Sequence, residues 1–266
     1  MELVDICFNF TSNAFREDEA ELVKRAHQAG VNRFIITGSS TQESEYALQL
    51  SKQYAGMYST AGVHPHLAKQ WTNETLDQLH ALATHKNVVA IGEAGLDYNR
   101  NYSNHIDQKL AFQSQLELAV ELKMPVLLHE RDAYEDFAKI LSQFRDKLTK
   151  VVVHCFTGTE KQLHRYIDLD CHIGITGWIC DERRGQHLHR IIKHIPTNRL
   201  MIETDAPYLL PRDLPSKASV PKPKGRRNEP AYLPHILNAV TKYREASMQQ
   251  TAQETTQTAK EFFSIV

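Results

Sequence analysis

The sequence predicts an α/β fold, a (β/α)8 TIM barrel built as a single domain over residues 1–266. Three observations carry this expectation. Eight short apolar runs, many of them β-branched, alternate with charged amphipathic stretches along the whole chain, as repeated β-then-α units require. The length of 266 residues suits one closed barrel, which commonly takes about 250. No G-x-G-x-x-G follows the first run and no G-x-x-x-x-G-K-[ST] occurs, which counts against a dinucleotide-binding or phosphate-loop sheet.

Taken in order, the runs place strands at 3–9, 33–37, 57–63, 88–93, 125–129, 151–155, 171–176 and 200–204. Charged stretches of helical character fill the intervals at 17–29, 43–54, 73–84, 105–122, 133–145, 160–168 and 184–194. A helix at 229–244 follows the last strand. Pro230 fits its first turn, and Leu233, Ile236, Leu237 and Val240 form one apolar stripe. A ninth helix is expected at 249–263. The one compositional break is 211–228, PRDLPSKASVPKPKGRRN, a basic, proline-rich loop between the last strand and its helix, which belongs on the rim of the barrel.

Composition sets bounds on function. Hydrophobic content of 41% supports a full core, and a net charge of −1 means that any polyanion must be met by a local patch. Cys7, Cys155, Cys171 and Cys180 form no C-x-x-C pair and match no zinc module, so reduced thiols in a cytosolic protein are expected. The acidic start Met-Glu-Leu-Val-Asp-Ile argues against a signal peptide, and no apolar stretch approaches the ~18 residues of a membrane span.

The chemistry is concentrated at strand ends. Pro125-Val-Leu-Leu-His129 and Val151-Val-Val-His154 end in histidines. Val88-Val-Ala-Ile-Gly-Glu93 and Leu200-Met-Ile-Glu-Thr-Asp205 end in carboxylates. In a parallel barrel these ends converge on one rim, where active sites sit. Two imidazoles and two carboxylates make a donor set for magnesium, manganese or zinc, so the barrel reads as the metal-dependent hydrolase type. His64 ends a further run and suits either a metal or a substrate phosphate. Glu203, two residues before Asp205, is expected to share its face and to orient a ligand. Asp97 reads as a loop-structuring Asx residue.

Five segments in order carry a resemblance: Gly62-Val-His-Pro65, Ile91-Gly-Glu-Ala-Gly-Leu-Asp97, Pro125-Val-Leu-Leu-His-Glu-Arg-Asp-Ala133, His154-Cys-Phe-Thr-Gly158 and Glu203-Thr-Asp-Ala-Pro207. Together they closely resemble the TatD family of metal-dependent deoxyribonucleases, over essentially the whole chain. Ile175-Thr-Gly-Trp-Ile-Cys-Asp-Glu-Arg-Arg-Gly185 and Arg226-Arg-Asn-Glu-Pro230 look like the bacterial member that gives the family its name. The resemblance implies a cytoplasmic 3′→5′ exonuclease acting on 3′ ends of single-stranded DNA or RNA, in repair or degradation, with Mg2+ as the metal. It puts Glu93, His129, His154 and Asp205 on the family's metal ligands. One departure stands at the first strand, where many members carry His-x-His and this chain reads Cys7-Phe8-Asn9. Asn9 offers a weak ligand and Cys7 a soft thiol, so one firm metal site is expected, with a second completed by substrate.

In the expected mechanism His129, His154 and Glu93 hold the metal, Asp205 takes the proton of the attacking water, and His64 and Arg131 grip phosphate. The loop offers Arg212, Lys217, Lys222, Lys224, Arg226 and Arg227 against Asp213, with Arg183 and Arg184 adjoining. Arg226 and Arg227 are the expected backbone contacts, and Tyr208, with Trp178, the expected stacking platforms. No obligate protein partner is implied, and a monomer is expected. Two other readings are an amidohydrolase-like or transfer-RNA ester hydrolase on the same barrel, and a catalytically weak barrel that binds in quality control.

Overall fold

The computed structural model describes residues 1–215 and 223–266, so Lys217 and Lys222 of the basic loop lie outside the described residues. Its strands are β1 (Leu3–Phe8), β2 (Val31–Ile36), β3 (Met57–Ala61), β4 (Val88–Asp97), β5 (Val126–Arg131), β6 (Val151–Val153), β7 (His172–Ile175) and β8 (Leu200–Ile202). They form one eight-stranded sheet in sequential order, every neighbouring pair parallel. The seam between first and last strands is drawn together just beyond β8. There Phe8 bridges Ala206, Asp205 N–H bonds to Cys7 O at 3.0 Å, and the Asp5 carboxylate accepts the Thr204 N–H at 2.9 Å and its hydroxyl. The result is a nearly closed (β/α)8 TIM barrel.

The surrounding helices are α1 (Glu19–Gln28), α2 (Thr41–Gln53), α3 (Asn73–Ala83), α4 (His105–Leu122), α5 (Tyr134–Phe144), α6 (Glu160–Asp168), α7 (Gln186–Ile191), α8 (Leu233–Arg244) and α9 (Met248–Phe263). Several starts are set by side-chain caps. Ser40, Asn104 and Ser247 each accept an N–H from the first turn, and Thr159 forms a reciprocal capping box with Gln162. α8 begins later than the sequence suggests. Pro230 opens a short 3-10 turn, and Pro234, which needs no N–H there, sits in the first α turn. α7 is shorter than the expected 184–194 and passes into a 3-10 turn at Ile192–His194.

Strand alternation divides the core and sets up the site. Val126, Leu128, Val151, Val153, Leu200 and Ile202 pack in the large cluster that includes the helices, while Leu127, Val152 and Met201 join Val4, Ile6, Ile35 and Ala90 in a separate one. The end of α9, with Phe262 and Phe263, and Ile265 just beyond it close the smaller cluster. Because side chains alternate, His129, His154 and Glu203 each stand two residues past a member of this inner set, at the opposite, C-terminal end.

β4 and β5 run on to Asp97 and Arg131, beyond the ends suggested by their apolar runs, because Gly95 pairs with His129 and Asp97 with Arg131. Glycines permit this close pairing. A Cβ on Gly92 (φ +135°) would lie 2.2 Å from Leu127 O, and one on Gly95 (φ +148°) 1.9 Å from His129 O.

Candidate active site

The strand ends bring three imidazoles onto one carboxylate. Glu93 Oε1 lies 2.8 Å from His154 Nε2, 3.0 Å from His129 Nδ1 and 3.4 Å from His64 Nε2. Asp97 Oδ2 lies 2.7 Å from His66 Nε2 and 3.5 Å from His129 Nε2. Beyond His154, Glu203 Oε2 stands 3.4 Å from its Nδ1. On the facing wall Asn9 donates its side-chain amide to Asp205 Oδ1 at 2.9 Å, with Cys7 Sγ at 3.7 Å from the same oxygen. Asn9, His64, His66, Glu93, His129, His154, Asp205 and Tyr208 all line one cavity of about 430 Å3 at the barrel mouth, a size suited to a small ligand or one unit of a polymer.

Electrostatics separate the two walls. Burial alone would raise Glu93, but His64, His154 and His129 hold its carboxyl well below the usual range. His64 is pushed down to about 4 by burial, with His129 and His66 adding to this against the pull of Glu93. Asp205 goes the other way. Burial, reinforced by Glu93 and Glu203, lifts it to about 7 against His154 and the Asn9 bond.

The donor set fits a divalent cation. Donor atoms of His64, Glu93 and His129 all lie within 4.8 Å of one another. Among the described residues, the buried His129 Nε2, His154 Nδ1 and Glu203 Oε2 make only the long contacts given above, 3.5 Å to Asp97 and 3.4 Å between His154 and Glu203. Three imidazoles crowd a carboxylate oxygen that cannot take strong hydrogen bonds from all of them. A cation among them would relieve that crowding, and carboxylate with imidazole is a set that magnesium, manganese and zinc accept.

Sequence-expected residues outside this cavity are distributed unevenly. Arg131 shares the face of His129 but opens on a neighbouring cleft of about 870 Å3, with its guanidinium over Trp178 at 4.9 Å. Trp178 is only 9% exposed and takes Arg184 on its ring at 4.1 Å, so it packs the loops. Arg183 and Arg184 bond to the buried Asp181, and Arg212 pairs with Glu182. Arg226 is exposed and lines a hollow beside Trp178 and Arg184. Arg227 is not brought to the site. It is locked to Asp18 at 2.7 Å and to Glu229 at 3.3 Å, and Lys224 joins Asp18 at 2.9 Å. Tyr208 stays 60% exposed at the mouth.

Two residues hold a larger place in the site than their sequence context suggests. His66 enters the cavity, and its signal was the His64-Pro-His66 spacing. Asp97 does take the N–H groups of Asn99 and Arg100 on Oδ1, as an Asx turn would. Its other oxygen, however, faces His66 and His129.

A parallel barrel with imidazoles and carboxylates gathered at its C-terminal mouth defines a metal-dependent hydrolase. The chain belongs to the TatD related DNase family, whose model matches residues 4–264. It is 47% identical over 264 residues to the 3'-5' ssDNA/RNA exonuclease TatD of Salmonella typhimurium, covering 99% of this chain and all of that one. It is 49% identical over 263 residues to the protein of the same name from Citrobacter koseri, covering 99% of each. Among solved structures, YJJV, a TatD homologue from Escherichia coli, superposes with a TM-score of 0.88 at 27% identity, covering 99% of this chain and 98% of that one.

Proposed function

We propose that this chain, acting as one barrel domain over 1–266, is a metal-dependent exonuclease that removes nucleotides from the 3′ ends of single-stranded DNA and RNA. The observation that carries the reading is the convergence of His64, His129 and His154 on Glu93. It is supported by full-length relatives that bear that activity in their names. Glu93, His129 and His154 would hold the cation, with Glu203 steadying His154 from behind. A divalent cation in such a site neutralises phosphoryl charge and acidifies water. Asp205, on the opposite wall and raised toward neutrality, is placed to accept the proton of the attacking water. His64 stays neutral at pH 7 and can offer an N–H to phosphate. Tyr208 offers an exposed ring beside the cavity for a base. Arg226 adds backbone charge from the adjoining hollow, while Arg131 reaches a strand laid along the larger cleft. Asn9 serves mainly to hold Asp205.

Mg2+ is the proposed metal, with one firm site. Under the same reading the enzyme works as a monomer in the cytoplasm, in repair or turnover of nucleic acid. No helix among the described residues is long and apolar enough to cross a membrane. Purified protein, stripped with chelator, should regain cleavage with Mg2+. It should release labelled mononucleotide at once from 3′-labelled single strands and progressively shorten 5′-labelled ones. No cleavage with any of Mg2+, Mn2+ or Zn2+, or immediate release from 5′ label only, would refute the proposal.

A further inference from the structure

Away from the mouth cavity, a second group of ligand-type side chains meets where three elements join. Cys180 ends the short turn Gly177–Cys180 after β7, Asp213 lies in the first arm of the basic loop, and His235 projects from the first turn of α8. One donor atom of each lies within 4.8 Å of the others. His235 Nε2 is 2.7 Å from Asp213 Oδ1. Cys180 is 4% exposed, whereas the Asp213 and His235 side chains are 55% and 17% exposed. The thiol is therefore buried on one side, and the carboxylate faces water on the other.

We propose that Cys180, Asp213 and His235 form a separate zinc-class metal site that clasps the basic rim loop to α8 and to the loop after β7. The charge balance suits this ion. A thiolate, a carboxylate and a neutral imidazole offset the two positive charges of the cation, and the thiol proton leaves to solvent on binding. Sulfur with nitrogen and oxygen favours zinc over the hard ions suited to the mouth cavity. Zinc bonds of about 2.0–2.3 Å put tetrahedral ligand atoms roughly 3.3–3.7 Å apart, so the His235–Asp213 contact would open by about 1 Å or less. The exposed side of Asp213 leaves room for water as fourth ligand.

The consequence is mechanical. Arg212 is already tied to Glu182 at 3.3 Å, and on the far arm Arg227 is tied to Asp18. A metal at Asp213 would complete the anchoring of the first arm beside the hollow that Arg226 lines. This inference does not depend on the proposed exonuclease activity.

The test uses the full chain, stripped with chelator and titrated with Co2+, with absorbance as the readout. The expected result is a thiolate-to-cobalt charge-transfer band that saturates by about two equivalents, since the mouth cavity also takes up Co2+, and is displaced by Zn2+. Cys180→Ser should abolish it. Asp213→Asn and His235→Asn, at more exposed positions, should each weaken binding at least tenfold. His129→Ala should leave the band intact. Absence of the band in the wild type, or its survival in Cys180→Ser, would overturn the proposal. So would loss of the band in Cys7→Ser, which would place the thiolate ligand beside the mouth cavity. If Cys180→Ser does not fold, unchanged binding in both asparagine variants would overturn it equally.

Discussion

The Glu203 carboxylate stands 3.4 Å from His154 Nδ1, on the edge of the ring opposite the one that meets Glu93. Glu203 is fully buried, and its other oxygen accepts the Cys155 N–H. A buried carboxylate behind an imidazole fixes the ring's tautomer and strengthens it as a ligand. Removing such a partner typically costs 10–100-fold in metal affinity. Glu203→Gln should therefore lower divalent-metal affinity by about 10–100-fold in calorimetric titration. Unchanged affinity would show that Glu203 serves packing alone.

Asp205 and Glu93 should fail differently. Asp205→Asn should lower kcat by about 10²–10⁴-fold, the usual worth of a general base, while metal affinity changes little. Glu93→Ala should lose the metal itself. Equal loss of metal in both variants would make Asp205 a ligand rather than the proton acceptor.

The pH profile follows from the same residue. Asp205 is raised to about 7 in the metal-free protein, and a nearby cation can only lower it, so activity should rise with pH and level off at or below about 7. The Asn9 bond pulls Asp205 down, so Asn9→Ala should move that limb to higher pH. A limb that stays put in Asn9→Ala would assign it to another group.

Neighbouring arginines of the loop should separate in kind. Arg226→Ala should weaken single-strand binding and reduce the salt slope by about 0.7, the value of one phosphate contact on a single strand. Arg227→Ala should instead destabilise the fold by about 1–2 kcal/mol, because charge-assisted bonds to Asp18 and Glu229 are lost while Arg25 and Lys224 keep the carboxylates paired. Urea denaturation reads this. Arg227, with Lys224 and Arg25, holds Asp18 far below its ordinary range, so this network's stability is full above about pH 4 and falls as pH drops further.

His172, on β7 below the site, gives the acid side of the stability curve a second component. Burial, helped by Arg199, pushes it down to about 4, and its ring meets Phe262 at 4.8 Å. The unfolded chain binds this proton near pH 6.5 and the folded chain only near 4. Stability is complete above about 6.5 and declines as pH falls toward 4. Between pH 7 and 4.5 the loss should be about 2–3 kcal/mol, and His172→Gln should flatten it. An equally steep decline in that variant would locate the titrating group elsewhere.

The strands were readable because parallel strands buried on both faces need almost continuous apolar runs, and the ligand-type residues sit directly at the ends of those runs. Leu127 with His129, and Val152 with His154, obey a period of two that needs no partner to be visible. His66 and Asp97 were harder. The length of β4 depends on Gly95 pairing with His129, and a pairing register is a property of two segments at once.

Charge was the least readable property. Six cations along 211–228 look alike in one dimension, yet Arg227 is neutralised by Asp18 from the far end of the chain while Arg226 stays exposed. The union of Cys180, Asp213 and His235 was equally hidden, because no short spacing marks it. Chain order and residue type therefore set the elements, the inward face of each strand and the chemistry at its end. Closing the barrel settled which distant side chains meet. Burial and ion pairing act over a few ångströms of space, whatever the distance along the chain.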